Sequence, residues 1–526
     1  MDVIFEKVLM YDGVQGHPGQ MCDIGILGNR ITAIGNLSGI QSKRRIECKG
    51  LSMMPGLIDV HTHSDLVYFV DPSRSMAIQQ GITTEICSAC GIGVIPLNGD
   101  LLKTYHKGVS SILGNLPNNL EPIDLNHFLY SIPKTAVNIA FQIAHSPLRI
   151  AATNGRNVIS LSNEMRKKLE FHEKEALEQG CVGVSTGLSY YPASLCNTEE
   201  LVLLGKIAAK YDVPFTFHQR NRDCLDNKYI SPVQEVIDVA RHCGCHVVLS
   251  HYRTYFGNCG RANEICFPIE DALLEGLRVS ADFYPYEIGC TYAAGILPID
   301  ILQKGPEFIM KLLYNQEAYN KLEKAIEQSM QIKQDSIILH APKHKAFLGL
   351  SYKQIAEIKG VSPSHIILQL LKEEQLCLVH TSTPLPEKST CNAMEQDFAF
   401  LLTKPYYNIG SDTIPCCQFP HPRSVGTFTR ILEIARKYDI DLSIVANRTS
   451  YSAAQLYGLK DRGVIKQGAF ADLVVFDSHT VASKAGYLTP FEKNCGIKHV
   501  MVNGKFAMEN GQLQKANSGM QIRRGL

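Results

Sequence analysis

The sequence predicts a parallel α/β barrel that carries a small β domain made from both ends of the chain, and three observations lead there. Between residues 55 and 455, apolar β-rich runs alternate with helical patterns, the rhythm of successive strand–helix units. Both ends hold only short β-rich runs separated by turns; a few such strands cannot bury a core alone, so the two ends are expected to pair with each other outside the barrel. The third is Pro55-Gly56-Leu57-Ile58-Asp59-Val60-His61-Thr62-His63, an apolar run that opens into polar Ser64 and Asp65. Read as the first barrel strand, it places His61 and His63 at the carboxyl end, where such barrels keep their chemistry, with both imidazoles pointing the same way.

Taken in order, residues 1–54 alternate runs at 3–10, 23–27 and 30–34 with the turns Tyr11-Asp12-Gly13 and Gly28-Asn29, which reads as a small antiparallel sheet. The texture returns at 472–477 and 498–502, followed by Asn503-Gly504. The expected division is therefore 1–54 and 456–526 for the two parts of the β domain and 55–455 for the barrel. After the strand at 57–60, candidate strands fall at 83–87, 137–145, 182–185, 214–218, 246–251, 279–284, 376–380 and 406–412. That makes nine, one more than an eightfold barrel needs, so one is misassigned or lies outside it. Among the helices, Asn197 with Glu200 three residues on is a capped start, and Leu201, Leu204 and Ala208 then share one face. Residues 163–180 and 316–334 also have helical spacing. The second lies within about 290–350, a stretch that fits no strand–helix unit and reads as an insertion, a lid over the barrel mouth.

Composition excludes several classes. With 52 basic against 51 acidic residues in 526 and a net charge of +1, no nucleic-acid or membrane surface is indicated, and the expected partner is a small molecule. No apolar run reaches the length of a membrane span, and the first residues lack the basic and apolar segments of a secretory signal, so a cytoplasmic location is expected. Seventeen cysteines in such a chain read as buried thiols in a reducing compartment, one or two of them available as ligands. The sequence leaves the oligomeric state open.

Four more candidate strands end in a metal-competent side chain: Cys90 just beyond the second, then His218, His251 and Asp412. Taken singly, a cysteine or histidine at a strand end is more often structural than a ligand. Their coincidence with His61 and His63 at one end of successive parallel strands is the argument for a single site, and thiolate, imidazole and carboxylate together suit zinc. Cys87-Ser88-Ala89-Cys90 offers a rival reading as a redox pair or a structural-zinc half-site. No second Cys-x-x-Cys completes a zinc ribbon, and Gly91-Ile92-Gly93-Val94 does not open a helix as a thioredoxin-like motif should. Cys416-Cys417 reads as packing.

With these residues in view, the chain resembles the N-acyl-D-amino-acid deacylases, the D-aminoacylase branch of the metal-dependent amidohydrolases, through nearly its whole length. The resemblance rests on residues 55–65, on Gln80-Gly81-Ile82-Thr83-Thr84 leading to Cys90-Gly91-Ile92, and on Gly183-Val184-Ser185-Thr186-Gly187-Leu188 with Tyr190 and Pro192. It continues through His218-Gln219-Arg220-Asn221, Ser250-His251, Asp282-Phe283-Tyr284-Pro285-Tyr286, Gly410-Ser411-Asp412, His421-Pro422-Arg423 with Gly426-Thr427-Phe428, and residues 462–477. The first motif alone says only amidohydrolase. Cys90 in its Gly-Ile setting and the His-Pro-Arg stretch point to the branch.

The resemblance implies a distorted (β/α)8 TIM barrel, a small β-sandwich domain formed by the N- and C-terminal segments, and an inserted segment mobile over the site. It implies one tight zinc at Cys90, His218 and His251, a second, weaker position at His61, His63 and Asp412, and Asp412 as the catalytic acid/base. Three protein ligands leave room for a water whose pKa zinc lowers to about 7. Asp412 would take its proton during attack on the acyl carbonyl and deliver it to the departing amine. The substrate implied is an N-acylated D-amino acid, whose carboxylate meets Arg423, Arg253 and Tyr190, a bidentate arginine fork suiting that contact. Asp59, His145 and Arg149 match family motifs without an assigned role.

Two departures add or keep positive charge: Arg222 stands where the family usually has glutamate, and Arg253 where it has lysine. Both favour acidic substrates such as N-acyl-D-glutamate or N-acyl-D-aspartate. The alternatives are a cyclic-amide hydrolase of the dihydroorotase or hydantoinase kind, a deaminase, and an inactive scaffold. The first usually bridges two metals with a carboxylated lysine, which 183–187 lack; the second usually carries a glutamate soon after a metal histidine, which 250–254 lack; the third should have lost ligands, and none is lost.

Overall fold

The computed structural model describes residues 1–221, 231–382 and 385–525. Eight parallel strands form the central sheet in chain order: β1 Leu57–Asp59, β2 Ile82–Cys87, β3 Asn138–Ala144, β4 Gly183–Gly187, β5 Pro214–His218, β6 His246–Leu249, β7 Val279–Phe283 and β8 Tyr407–Ile409. Strands such as β3 and β7 are buried at every position, because helices cover one face and the barrel interior the other, so their sequences run apolar instead of alternating. The sheet closes between β8 and β1 just past their carboxyl ends. There Thr62 bridges Thr413, and the Asp412 N–H donates to the His61 carbonyl at 2.8 Å. The seam thus lies between the segments that carry three of the candidate ligands.

Helices follow the sequence signals. Asn197 accepts the Glu200 N–H and starts the helix Thr198–Lys210, which buries Leu201, Leu204 and Ala208. Ser162 caps Asn163–Glu178 through the Met165 N–H.

The surplus candidate strand, 376–380, is the one outside the barrel. Its apolar run becomes Val379–Thr381 in a separate three-stranded antiparallel sheet with Cys290–Tyr292 and Ile338–His340. It read as a barrel strand because it is equally buried, wedged between the barrel core on one side (Val379) and a second apolar core on the other (Leu378). That second core is built by the helices Pro306–Tyr314, Gln316–Lys333, Tyr352–Lys359 and Pro363–Glu373 around Ile309, Leu322, Ile326, Ile355 and Leu371. The inserted unit between β7 and β8 therefore runs on to Thr381, beyond the stretch 290–350 singled out from the sequence.

Both chain ends meet in one nine-stranded sheet. Ser52–Pro55 from the N-terminal part pairs antiparallel with Leu473–Phe476 from the C-terminal part. Alternation along the latter divides its side chains: Leu473 and Val475 join Phe5, Ile24 and Ile26 in the core of this unit, while Val474 and Phe476 pack on the barrel. The N-terminal part is not wholly antiparallel, as expected from its turns; Val3–Met10 pairs in parallel with Arg44–Glu47 and with Ser52–Pro55. The intervening strands Gln20–Leu27 and Arg30–Gly35 provide the crossover that parallel pairing requires. Past this sheet the chain returns to the barrel, where Gln521 bridges Ile139. No helix among the described residues is long and apolar enough to cross a membrane.

Candidate metal centre and active site

All six expected ligands converge at the carboxyl end of the barrel. His61 and His63 follow β1, Cys90 sits in the turn after β2, His218 ends β5, and His251 and Asp412 lie just past β6 and β8. Their donor atoms form two groups that share the Cys90 sulfur: Cys90 with His218 and His251, and Cys90 with His61, His63 and Asp412. In the first, the Cys90 Sγ lies 3.6 Å from His218 Nδ1 and 3.7 Å from His251 Nε2, with the two nitrogens 2.8 Å apart. In the second, it lies 3.2 Å from His61 Nε2, and Asp412 Oδ1 stands 3.2 Å from His63 Nε2 and 3.5 Å from His61 Nε2.

The local backbone is held in costly conformations to achieve this. Cys90, His251 and Asp412 have φ of 53°, 40° and 51°, a left-handed region that costs a non-glycine residue about 1–3 kcal/mol. Each turn is pinned: the His251 N–H donates to Asp282 Oδ1 at 2.8 Å, the Asp412 N–H to the His61 carbonyl, and the Gly91 N–H to Ser185 Oγ at 3.1 Å. Two glycines make room for the approach. A Cβ on Gly187 would stand 2.0 Å from the Cys90 carbonyl oxygen, and one on Gly410 would stand 2.4 Å from His61 Cβ.

Electrostatics fit a cation. Burial holds His218 down at about 4, and burial followed by the His218 charge holds His251 well below the ordinary histidine value, so both present neutral lone pairs. Burial also pushes the Cys90 thiol up, opposed by His61. His61 behaves differently: burial disfavours its charge, yet Asp282 and Cys90 outweigh burial and raise it well above the ordinary value. A positive charge between His61 Nε2 and the Cys90 sulfur is what this surrounding favours, and a metal ion there would satisfy it. Burial works against an ionised Asp412, but the Arg423 guanidinium, then His63 and His61, keep its carboxyl well below the usual carboxylate range. The donors present, one thiol, four imidazoles and one carboxylate, suit zinc better than the all-oxygen sites of magnesium or calcium.

Beside these donors lies a cavity of about 240 Å³, walled by Tyr190, Arg253, Tyr284 and Arg423 together with His63, His218, His251 and Asp412. Both guanidinium groups lie on the Tyr284 ring, 4.6 Å (Arg253) and 4.7 Å (Arg423) from its centroid, and the same lining carries the carboxylates of Asp412 and Glu287. Neither guanidinium is wholly free. Arg423 Nη1 pairs with Asp412 Oδ2 at 2.7 Å and Nη2 donates to the Cys290 carbonyl, while Arg253 donates to the Thr254 and Glu287 carbonyls and to the Tyr284 hydroxyl. The Nε of each has no partner among the described residues. The Tyr190 ring lies 4.6 Å from that of His218. Arg222 falls outside the described residues.

Reading the sequence missed the role of Asp282. Both its oxygens lie 3.2 Å from His61 Nδ1, and one also accepts the His251 N–H. A carboxylate so placed would direct the lone pair of His61 Nε2 toward a metal held there, the task of a carboxylate behind a metal-bound histidine. The signal available was a carboxylate within the otherwise apolar run of β7. Asp59 accepts N–H groups from Ser411 at 2.8 Å and His61 at 3.2 Å, tying β1 to the closing segment. His145 and Arg149 both bind Glu200 Oε1, at 2.8 and 2.9 Å, in a buried network behind β4.

Residues 408–507 match the Amidohydrolase family. Across 511 residues the chain is 30% identical to N-acyl-D-glutamate deacylase of Alcaligenes xylosoxydans xylosoxydans, covering 96% of this chain and 93% of that protein. The chain belongs to the N-acyl-D-amino-acid deacylase branch of the amidohydrolases. It is thus a metal-dependent hydrolase acting on linear amides. Solved structures of this branch superpose over its length. N-acyl-D-glutamate deacylase from Bordetella bronchiseptica, crystallised with zinc and a phosphonate mimic of the tetrahedral intermediate, matches with a TM-score of 0.82 at 26% identity over 99% of both chains. A D-aminoacylase described as having a binuclear metal centre, with one-metal activation and second-metal attenuation, matches at 0.81 and 27% identity over 99% of this chain and all of that one. The deacylase branch therefore accounts for the barrel, the inserted unit and the two-ended β sheet together.

Proposed function

We propose that the protein is a zinc-dependent N-acyl-D-amino-acid deacylase that hydrolyses its substrate to a carboxylate and a free D-amino acid. The observation that carries this reading is the convergence of the Cys90, His218 and His251 donor atoms beside Asp412, on a cavity that Arg253 and Arg423 also line. In this reading those three donors hold the tight zinc, and His61, His63 and Asp412 form the adjoining, weaker position. The names of the relatives support the D-amino-acid substrate, and the zinc and phosphonate bound by one of them support the metal and the hydrolytic route. Zinc when bound would polarise the acyl carbonyl and make a hydroxide nucleophile available at neutral pH.

The protein's own residues do the rest. Asp412, kept ionised by Arg423, accepts the proton of the attacking water and returns it to the amine nitrogen as the C–N bond breaks. His63 and Arg423 hold that carboxylate in place from two sides. The substrate α-carboxylate is assigned to Arg253 and Arg423, which line the cavity and keep N–H groups beyond those their protein partners take, with Tyr190 on the same lining. Arg253, which forms no ion pair among the described residues, favours an acidic amino-acid side chain such as D-glutamate or D-aspartate. None of the described cysteines is in a disulfide, which suits a reducing compartment.

Zinc content by atomic emission, paired with ninhydrin detection of amine from matched D and L N-acetylamino acids, tests the proposal. Near one equivalent of tight zinc with release from the D series alone, abolished in Cys90→Ala and in Asp412→Asn, is expected. Bound metal with no amine from either series would overturn it. Equal turnover of N-acetyl-D-methionine and N-acetyl-D-glutamate would remove the acidic preference while leaving the deacylase reading intact.

A further inference from the structure

A second cavity opens beside the metal site and is not used by anything described so far. It has a volume of about 40 Å³ and is lined by Ile92, Tyr105, Val109, Ile112, Leu302 and Ile309, and its two walls meet where Gly108 packs against Pro306. Its walls come from the helix Gly99–Leu113 on one side and from the inserted unit, chiefly the helix Pro306–Tyr314, on the other. Ile112 and Tyr190 line both this cleft and the metal-site cavity, so the two spaces adjoin. The walls carry no charged side chain, in contrast to the arginine end.

The direction of the cleft decides what it receives. Arg253 stands past β6 and Arg423 past β8, the latter against Asp412, whereas the cleft begins at Ile92, two residues beyond Cys90, and beside the Tyr190 ring that packs on His218. In an N-acylated amino acid the carboxylate and the side chain both hang from the carbon on the nitrogen side of the amide. The acyl chain extends from the other side of the same carbonyl. With the carboxylate at the arginine end and the carbonyl at the metal, the acyl chain is the part that continues toward the cleft.

We propose that this cleft is an acyl-chain subsite and that the preferred substrates carry a medium-length aliphatic acyl group instead of acetyl. The assignment rests on the deacylase reading above and goes beyond it by naming the acyl class. At about 10–15 Å³ for each group the size of a water, the volume admits about three or four methylenes, which puts the optimum near butyryl to hexanoyl. Each buried methylene contributes a factor of about four in kcat/KM. With partial burial, hexanoyl substrates should exceed acetyl ones by roughly ten- to a hundred-fold.

The test is kcat/KM of the zinc-loaded enzyme on D-glutamate and on D-methionine, each acylated with acetyl, butyryl, hexanoyl and decanoyl groups. A rise to butyryl or hexanoyl and a fall at decanoyl, on both amino acids, is expected. Val109→Phe, which enlarges a side chain of the cleft wall, should collapse the hexanoyl-to-acetyl ratio, and Ile309→Ala should move the optimum to longer chains. Acetyl substrates fastest in the unmodified enzyme, or a rate that follows the amino-acid side chain while acyl length has no effect, would overturn the subsite alone. No amine from any acylated D-amino acid would instead overturn the deacylase reading, and the subsite with it.

Discussion

Replacing Asp282 with asparagine removes one charge and leaves the shape of the side chain intact. Asp282 serves two candidate ligands at once, accepting the His251 N–H at 2.8 Å and facing His61 Nδ1 with both oxygens at 3.2 Å. Asparagine can keep one oxygen on the His251 N–H, but it then turns its NH₂ toward His61 Nδ1. Although the retained oxygen still faces Nδ1, the NH₂ beside it favours an acceptor there, which draws the ring proton to Nε2, the atom 3.2 Å from the Cys90 sulfur whose lone pair a metal needs. The loss is one charge-assisted hydrogen bond together with the correct tautomer, about 1.5–3 kcal/mol, or roughly 10- to 100-fold. This is the range in which carboxylates behind metal-bound histidines usually act. Zinc affinity by competition with a chromophoric chelator, kcat/KM at saturating zinc, and thermal unfolding as a control would measure it. A variant with wild-type zinc affinity, wild-type kcat/KM and an unchanged melting point would refute the role assigned to Asp282.

Other expectations follow from the same geometry. Dialysis against a strong chelator should abolish amide hydrolysis, and zinc should restore it where magnesium does not, because thiol and imidazole donors disfavour magnesium; recovery with magnesium alone would contradict the donor assignment. Gly187→Ala drives a Cβ to within 2.0 Å of the Cys90 carbonyl oxygen, so denaturant unfolding should show a loss of about 1–3 kcal/mol and emission analysis a lower zinc content. Wild-type values for both would show that the Cys90 turn yields easily. Behind the site, Arg74 donates to both oxygens of buried Glu85 at 2.9 and 2.7 Å. Burial opposes the ionised Glu85, yet Arg74 holds it below the usual glutamate value, so the pair stabilises the fold above the unfolded glutamate pKa of about 4.3. That contribution is lost as pH falls through the lower, folded value. Arg74→Met should cost about 3–5 kcal/mol at pH 7, and the deficit measured by denaturant unfolding should shrink toward pH 3; a deficit independent of pH would rule out the ion pair as its source.

Particular residues show where reading the sequence succeeded and where it stopped. Cys90, His218, His251 and Asp412 were legible because parallel strands deliver their last residues to one mouth, so a metal-competent side chain at several strand ends is visible in one dimension. Asp282 was not, because a carboxylate inside a buried strand is meaningful only once the ring of His61 is found beside it, 221 residues away. The run 376–380 was misread because burial, which both sheets impose, leaves the same apolar signature in a barrel strand and in a strand of the inserted unit. Arg423 was legible as a cation near the site, but its pairing with Asp412 was not.

The sequence by itself determined the succession of strands and helices, the pairing of the two chain ends and the chemical kind of the site, since these depend on side-chain type and on spacing along the chain. Only the tertiary structure decided which strands close the barrel, how Cys90 is shared between the two donor groups, and that the helix Gly99–Leu113 meets the helix Pro306–Tyr314 to leave an apolar cleft. These depend on the closure between β8 and β1 and on how the inserted unit packs over the mouth, contacts between segments hundreds of residues apart that no local pattern encodes.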